Sequence, residues 1–137
     1  MAKIFTAKAT AIGGRAGHIQ SDDKVLDLDI VMPNEKKNGE TGTNPEQLFA
    51  AGYAACFGGA LQHVAKEKDV DIKAEVEGQV SLLKDDSDGG FKIGVTLVVK
   101  NPGIDEGKLK ELVHDAHDFC PYSKATRGNI DVELEIQ

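Results

Sequence analysis

Clustered positive charge is what this sequence has least of. Arg15 and Arg127 are its two arginines, lysine and arginine together give 16 residues against 23 acidic ones, and the formal net charge is −7. Phosphate binding needs a concentrated Lys/Arg surface, so nucleic acid and anionic membrane surfaces are excluded as main partners. Long hydrophobic runs are missing too. The longest, Leu48 to Leu61, is too short and too rich in glycine to cross a bilayer, and the opening "MAKIFTAKATAIGGRAG" has no apolar core of signal-peptide length, so a cytoplasmic protein is expected. Low-complexity tracts and internal repeats are absent. There is no glycine-rich phosphate motif and no G-x-S-x-G elbow, and "DDSDGG" lacks the alternating ligands of a calcium loop. His114, His117 and Cys120 step by three, but the outer two lie about 120° apart around a helix and cannot converge on one metal.

What is present is an ordinary globular composition, 40% hydrophobic and 28% charged over 137 residues, which suits one domain spanning 1–137. Lys3 to Ala11 reads as a strand, Gly13-Gly14 as a turn, and Leu26, Leu28 and Ile30 alternate with Asp27 and Asp29 as in a half-buried strand. The polar loop "PNEKKNGETGTN" follows. Thr43 or Asn44 can cap a helix with Pro45 in its first turn and Glu46 or Gln47 completing a capping box, and helical sequence runs to about Lys68. Two longer strands, carrying Ala74, Val76, Val80 and Leu82 and then Phe91, Ile93, Val95, Leu97 and Val99, are joined by the hairpin "KDDSDGG". Asp105 opens a second helix with Leu109, Leu112, Val113 and Ala116 on one face, and Pro121 ends it. A last strand turns Ile130, Val132, Leu134 and Ile136 inward. The order predicts an α+β fold.

Chemistry then rests on two cysteines. Cys56 sits in "AAGYAACFGGALQHV" among alanines and glycines, and Cys120 closes the second helix before the polar turn "PYSKATRGN". Singly, each has a bland reading: a small buried hydrophobe, and a chance residue at a helix end. Together they read as an attacking and a resolving thiol. An ordinary thiol is only ~3% ionised at pH 7, and lowering its pKa by ~2 units takes about 2.7 kcal/mol, within reach of a nearby guanidinium. Arg15, in the loop "GGRAG", is one of the two available.

The segments "GTNPEQLFAAGYAACFGGAL", "CPYSKATRGNIDVELEI" and "ATAIGGRAG" closely resemble the organic hydroperoxide resistance proteins of the OsmC/Ohr superfamily, from about Lys8 to the C-terminus. The resemblance implies antiparallel sheets wrapped around buried central helices in an intertwined homodimer, and a thiol peroxidase that reduces organic hydroperoxides without a bound cofactor or metal. It assigns Cys56 as the peroxidatic cysteine, Cys120 as the resolving one, and Arg15 and Glu46 as the pair that holds a guanidinium over the thiolate. It implies dihydrolipoyl groups of lipoylated proteins as the reductant. Phe49, Tyr53 and Phe57 would then favour an apolar peroxide. The competing readings are a non-enzymatic module for an apolar ligand, an OsmC-type peroxidase of broader preference and a thiol-disulfide sensor. On a straight helix Glu46 and Cys56 would be ~15 Å apart along the axis and about 80° apart around it, so a break near Gly52 to Ala54 is predicted, placing Cys56 in a new first turn.

Overall fold

In a computed structural model of the chain, residues 1–36 and 39–137 are described and form two compact units, Met1–Leu48 and Phe49–Gln137. Lys37 and Asn38, in the polar loop, lie outside the described residues.

The first unit is a three-stranded antiparallel sheet in the order β1 (Ala9–Ile12), β2 (His18–Ser21), β3 (Asp27–Asp29). The expected first strand, Lys3 to Ala11, is displaced. A ladder exists only where a neighbour offers one, and β2 pairs Ser21 with Ala9 and His18 with Ile12. Ile4 and Phe5 are exposed as a result. β3 also departs from expectation: Ile30 is buried, but Leu26 and Leu28 keep about 40% of their surface. Between β1 and β2 the chain turns through a short 3-10 segment, Gly14–Ala16, entered by Gly13 at φ 85°. Gly17 closes it, where a Cβ would lie 1.7 Å from the Ile12 carbonyl oxygen. Beyond β3, Thr43 returns to bridge Ile30, its N–H donating to the Asp29 carbonyl at 2.9 Å.

Helix α1 (Pro45–Glu67) begins as the sequence indicates. Asn44 is the cap, its Oδ1 accepting from the Gln47 N–H at 2.8 Å, with Pro45 in the position whose N–H has no intrahelical partner. Gln47 accepts from the Thr43 hydroxyl at 2.7 Å. The predicted break near Gly52 to Ala54 is not there: α1 is one uninterrupted helix through Gly59 and on to Glu67. Tyr53 and Phe57 are fully buried on this stretch, and opening the ladder beside them would leave backbone N–H and C=O groups unpaired in an apolar core.

The second unit contains β4 (Glu75–Lys84), β5 (Phe91–Lys100), α2 (Glu106–Phe119), α3 (Pro121–Thr126) and β6 (Val132–Ile136). β4 and β5 form the expected antiparallel hairpin, Glu75 opposite Lys100 through Lys84 opposite Phe91. β6 instead runs parallel to β5, from Val95 opposite Val132 to Val99 opposite Ile136, so this sheet is mixed rather than antiparallel. The reason is topological. α2 carries the chain back to the start of β5, and a strand entered that way pairs in the same direction. Asp105 caps α2 by accepting from the Lys108 N–H at 3.0 Å. Its Leu109, Leu112, Val113 and Ala116 join Tyr53, Phe57 and Leu61 of α1 and Val95, Leu97 and Val99 of β5 in one core. Leu82 and Phe91, which share strand faces with residues of that core, are themselves 44% and 73% exposed at the hairpin end. "PYSKAT" is helix α3 rather than a turn.

Helix and sheet meet most closely at Gly78 of β4. A Cβ there would sit 2.6 Å from the Ala50 carbonyl oxygen and 3.3 Å from its Cα, both backbone atoms that cannot rotate away. Gly78→Ala is expected to destabilise the fold by about 1–3 kcal/mol. Gly59, on the same helix with no atom within 4 Å of an added Cβ, is the control. Gly59→Ala should gain about 0.5–1 kcal/mol from helix propensity. Denaturant midpoints of the two variants moving in the same direction would contradict this account.

Candidate active site

Each unit holds one pair of the residues singled out in the sequence. In the first, Arg15 leaves the turn after β1 and meets Glu46 in the first turn of α1 in a two-pronged contact, Nη2 to Oε1 at 2.8 Å and Nη1 to Oε2 at 3.0 Å. This fork-to-fork geometry fixes the guanidinium plane as well as its position. The glutamate side chain is only 12% exposed and the arginine 46%, so the carboxylate is the anchor and the cation the accessible member. The Glu46 carboxyl is held below its ordinary pKa chiefly by the hydrogen bonds from Arg15, against its own partial burial. Met32 Sδ lies 3.7 Å from Nη1.

In the second unit the sulfurs of Cys56 and Cys120 are 3.4 Å apart, both as free thiols. Cys56 is half-buried in the middle of α1, and Cys120 is completely buried. Cys120 belongs to two helices at once. Its N–H still donates to Ala116 at the end of α2, its backbone is extended at φ −64° and ψ 126°, and its carbonyl accepts from the Lys124 N–H at 2.9 Å as α3 begins. A disulfide needs its sulfurs about 2.05 Å apart, so the pair must close by a little over an ångström.

Within this unit the Cys56 thiol is pushed above its ordinary pKa, first by burial. The backbone N–H of Tyr122 pulls the other way by hydrogen bonding to the sulfur, while Cys120 adds to the rise. A helix-start N–H does therefore favour the thiolate, but it comes from α3 and not from a broken α1. Pro121 has no N–H to give, which makes Tyr122 the first donor of that helix.

Phe49, Tyr53 and Tyr122 form an aromatic wall, with ring centroids at 6.1 Å for Phe49–Tyr53, 6.0 Å for Phe49–Tyr122 and 5.7 Å for Tyr53–Tyr122. Phe49 is half-buried and Tyr122 is 39% exposed. Tyr53 and Phe57 have no exposed surface, so both are core residues in this structure and back the wall rather than face solvent. The sequence reading passed over Tyr122, Ser123 and Thr126, and weighed His117 only as a metal ligand. Ser123 and Thr126 are the buried residues of α3 and both reach the Tyr53 hydroxyl, at 2.8 and 3.1 Å, while His117 Nδ1 lies 2.8 Å from Ser123 Oγ. Their i, i+3 spacing after a proline was the available signal. Among the described residues no group of three or more His, Cys, Asp or Glu side chains is arranged to hold a metal. Nor is any helix among them long and apolar enough to cross a membrane.

Known proteins share this arrangement of sequence and fold. The family profile of OsmC-like proteins matches residues 37–135. The organic hydroperoxide resistance protein OhrB of Bacillus subtilis is 74% identical over 134 residues, covering 98% of each chain, and the corresponding protein of Xanthomonas axonopodis pv. citri is 50% identical over 97% of this chain and 94% of its own. The crystal structure of Bacillus subtilis OhrB superposes with a TM-score of 0.96 over 98% of this chain and 100% of that one. A likeness this deep, running through both cysteine segments and the arginine loop, makes the chain a member of the organic hydroperoxide resistance branch of the OsmC/Ohr superfamily.

Proposed function

We propose that this protein is a cysteine-based peroxidase that reduces organic hydroperoxides to alcohols and so protects against oxidative stress. The observation that carries the reading is the pair of free thiols 3.4 Å apart on separate helices, one half-exposed and one buried. The names of its relatives, organic hydroperoxide resistance proteins, support it. Cys56, the accessible thiol, attacks the distal peroxide oxygen as a thiolate. An S–O bond forms, the O–O bond breaks, and the alkoxide leaves and takes a proton to become the alcohol. Cys120 then attacks the Cys56 sulfenic acid, forming the S–S bond and releasing the sulfenic oxygen as water. An external dithiol returns both cysteines to thiols by exchange, and dihydrolipoyl groups of lipoylated proteins are the proposed donors.

Arg15 supplies the positive charge that a thiol raised by burial requires, and Glu46 orients it. Phe49 offers apolar surface to the substrate, with Tyr53 and Phe57 packed behind it. With α1 unbroken, a bend cannot bring Cys56 toward the Arg15–Glu46 pair. An intertwined homodimer, in which the arginine of one copy serves the thiol of the other, is the route we propose. The exposed Leu26 and Leu28 of the first sheet and Leu82 and Phe91 of the second support a partner chain, since each is an apolar face with no cover. In this reading the whole of 1–137 acts as one domain within that dimer, in the cytoplasm.

Consumption of cumene hydroperoxide or tert-butyl hydroperoxide in the presence of a dithiol, compared with hydrogen peroxide, tests the reading. Rapid turnover that favours the organic peroxides is expected. Disulfide formation without turnover would make the pair a sensor, equal rates on hydrogen peroxide would place it with broader OsmC-type enzymes, and no reaction would leave an apolar-ligand module.

A further inference from the structure

α3 has six residues, too few to be stable by itself, and it presents the resolving thiol from its first boundary. What holds it is polar. Ser123 and Thr126, its buried residues, both bond the hydroxyl of Tyr53, which lies on α1 one turn before Cys56. His117, in the last turn of α2, reaches across Cys120 to Ser123. The three helices that meet at the thiol pair are thus tied by one connected set of side chains, none of whose buried atoms lacks a partner.

The direction of the hydrogens follows from closure. Thr126 Oγ1 donates to the Ser123 carbonyl at 3.2 Å, so it accepts from Tyr53. Tyr53 oxygen then accepts from Ser123, and Ser123 Oγ accepts from His117 Nδ1–H. Every contact has one hydrogen and every hydrogen one acceptor. His117 donates from Nδ1 in its neutral tautomer and when protonated, so the chain holds in either state.

We propose that the His117–Ser123–Tyr53–Thr126 chain is a positioning device for the second thiol step: it fixes α3 so that Cys120 faces Cys56 and captures its sulfenic acid before a second peroxide does. The inference rests on the peroxidase reading for its purpose, while the geometry it names does not depend on that reading. His117 and Ser123 touch no reacting atom and act only through the placement of Cys120.

The sensitive quantity is the fate of the sulfenic acid, because its partition between disulfide and sulfinic acid does not depend on how fast it forms. Single-turnover oxidation with excess organic peroxide, quenched and read by mass spectrometry, should show roughly three- to tenfold more sulfinic acid per disulfide in His117→Ala, the effect of losing one hydrogen bond, and at least as much in Ser123→Ala, which loses its bonds to both Tyr53 and His117. His117→Asn, whose amide N–H can replace Nδ1–H, should return the ratio toward wild type. The second readout needs no peroxide. The redox equilibrium of the Cys56–Cys120 pair against glutathione reports the effective concentration of one thiol at the other, which should fall by a similar factor in the alanine variants and recover in His117→Asn. Wild-type ratios in both alanine variants, or a His117→Asn no better than His117→Ala, would overturn the proposal. The His117 comparison stands even if Ser123→Ala fails to fold. A wild-type protein inert to peroxide would defeat the peroxidase reading alone, and the glutathione equilibrium would still decide this one.

Discussion

Cys56→Ser is expected to abolish peroxide reduction, whereas Cys120→Ser should complete one turnover and then over-oxidise at Cys56. Both variants are close in shape to the native side chain, so the difference lies in acid-base chemistry and in who attacks next. A serine hydroxyl stays protonated across the working pH range and cannot replace a thiolate that is already in short supply in a half-buried site. Without Cys120 the thiolate at position 56 should still form its sulfenic acid and release one equivalent of alcohol. No second sulfur then waits at 3.4 Å, and further peroxide carries Cys56 to sulfinic and sulfonic acid. Stopped-flow measurement of the first equivalent, followed by mass spectrometry of the cysteines, separates the roles. Equal inertness of both variants in a single turnover would remove the assignment of attacking and resolving thiol.

Much of the architecture could be read from local signals, because at those places local and tertiary preferences agree. The caps at Asn44 and Asp105 came from residue type, and the stripe Leu109, Leu112, Val113 and Ala116 came from helical spacing. The alternation through Val95, Leu97 and Val99 came from strand spacing. The errors fall where a distant contact decides. Gly52 was read as a weak point in α1, a penalty of about 1 kcal/mol against alanine. Its purpose is outside the helix: a Cβ there would lie 2.9 Å from the Tyr122 hydroxyl, so the missing side chain admits a ring from α3. α3 itself was read as a polar turn because one i, i+3 pair in six residues is a weak signal, and the partner of its two inward hydroxyls is Tyr53, 70 positions before Ser123 in the chain. The parallel pairing of β6 carries no mark in its own residues, since Val132, Leu134 and Ile136 would alternate identically in either direction. The candidate site divides the same way. Two cysteines drew attention by their chemistry, but Arg15 and Glu46, 31 positions apart, were paired by resemblance, and the structure gives their contact.

Removing the guanidinium is expected to slow the first oxidation step by on the order of a hundredfold in Arg15→Ala, if the charge lowers the Cys56 pKa by ~2 units. The sign is fixed by charge: a cation favours the thiolate over the thiol, so without it the pKa rises and less thiolate exists at neutral pH. Alkylation of Cys56 followed against pH should therefore move its midpoint upward. Arg15→Lys should recover only part of the loss, because an ammonium cannot hold both Glu46 oxygens in the parallel fork seen here. An unchanged titration in Arg15→Ala would take the arginine out of the mechanism. The route by which it acts has its own test. α1 runs unbroken from Glu46 to Cys56, a step of about 15 Å along its axis. If the arginine of one copy serves the thiol of the other, a mixed dimer of Arg15→Ala with Cys56→Ser keeps one intact site, its thiol from the first chain and its arginine from the second. Its activity per dimer should be about half that of the wild type, as for one of two symmetric sites. If both groups act within one chain, the same mixed dimer has no intact site. Differently tagged copies, purified together and assayed beside the slowed Arg15→Ala and the inactive Cys56→Ser parents, should give either about half activity or almost none, and the second result would reject the intertwined arrangement while leaving the thiol chemistry in place.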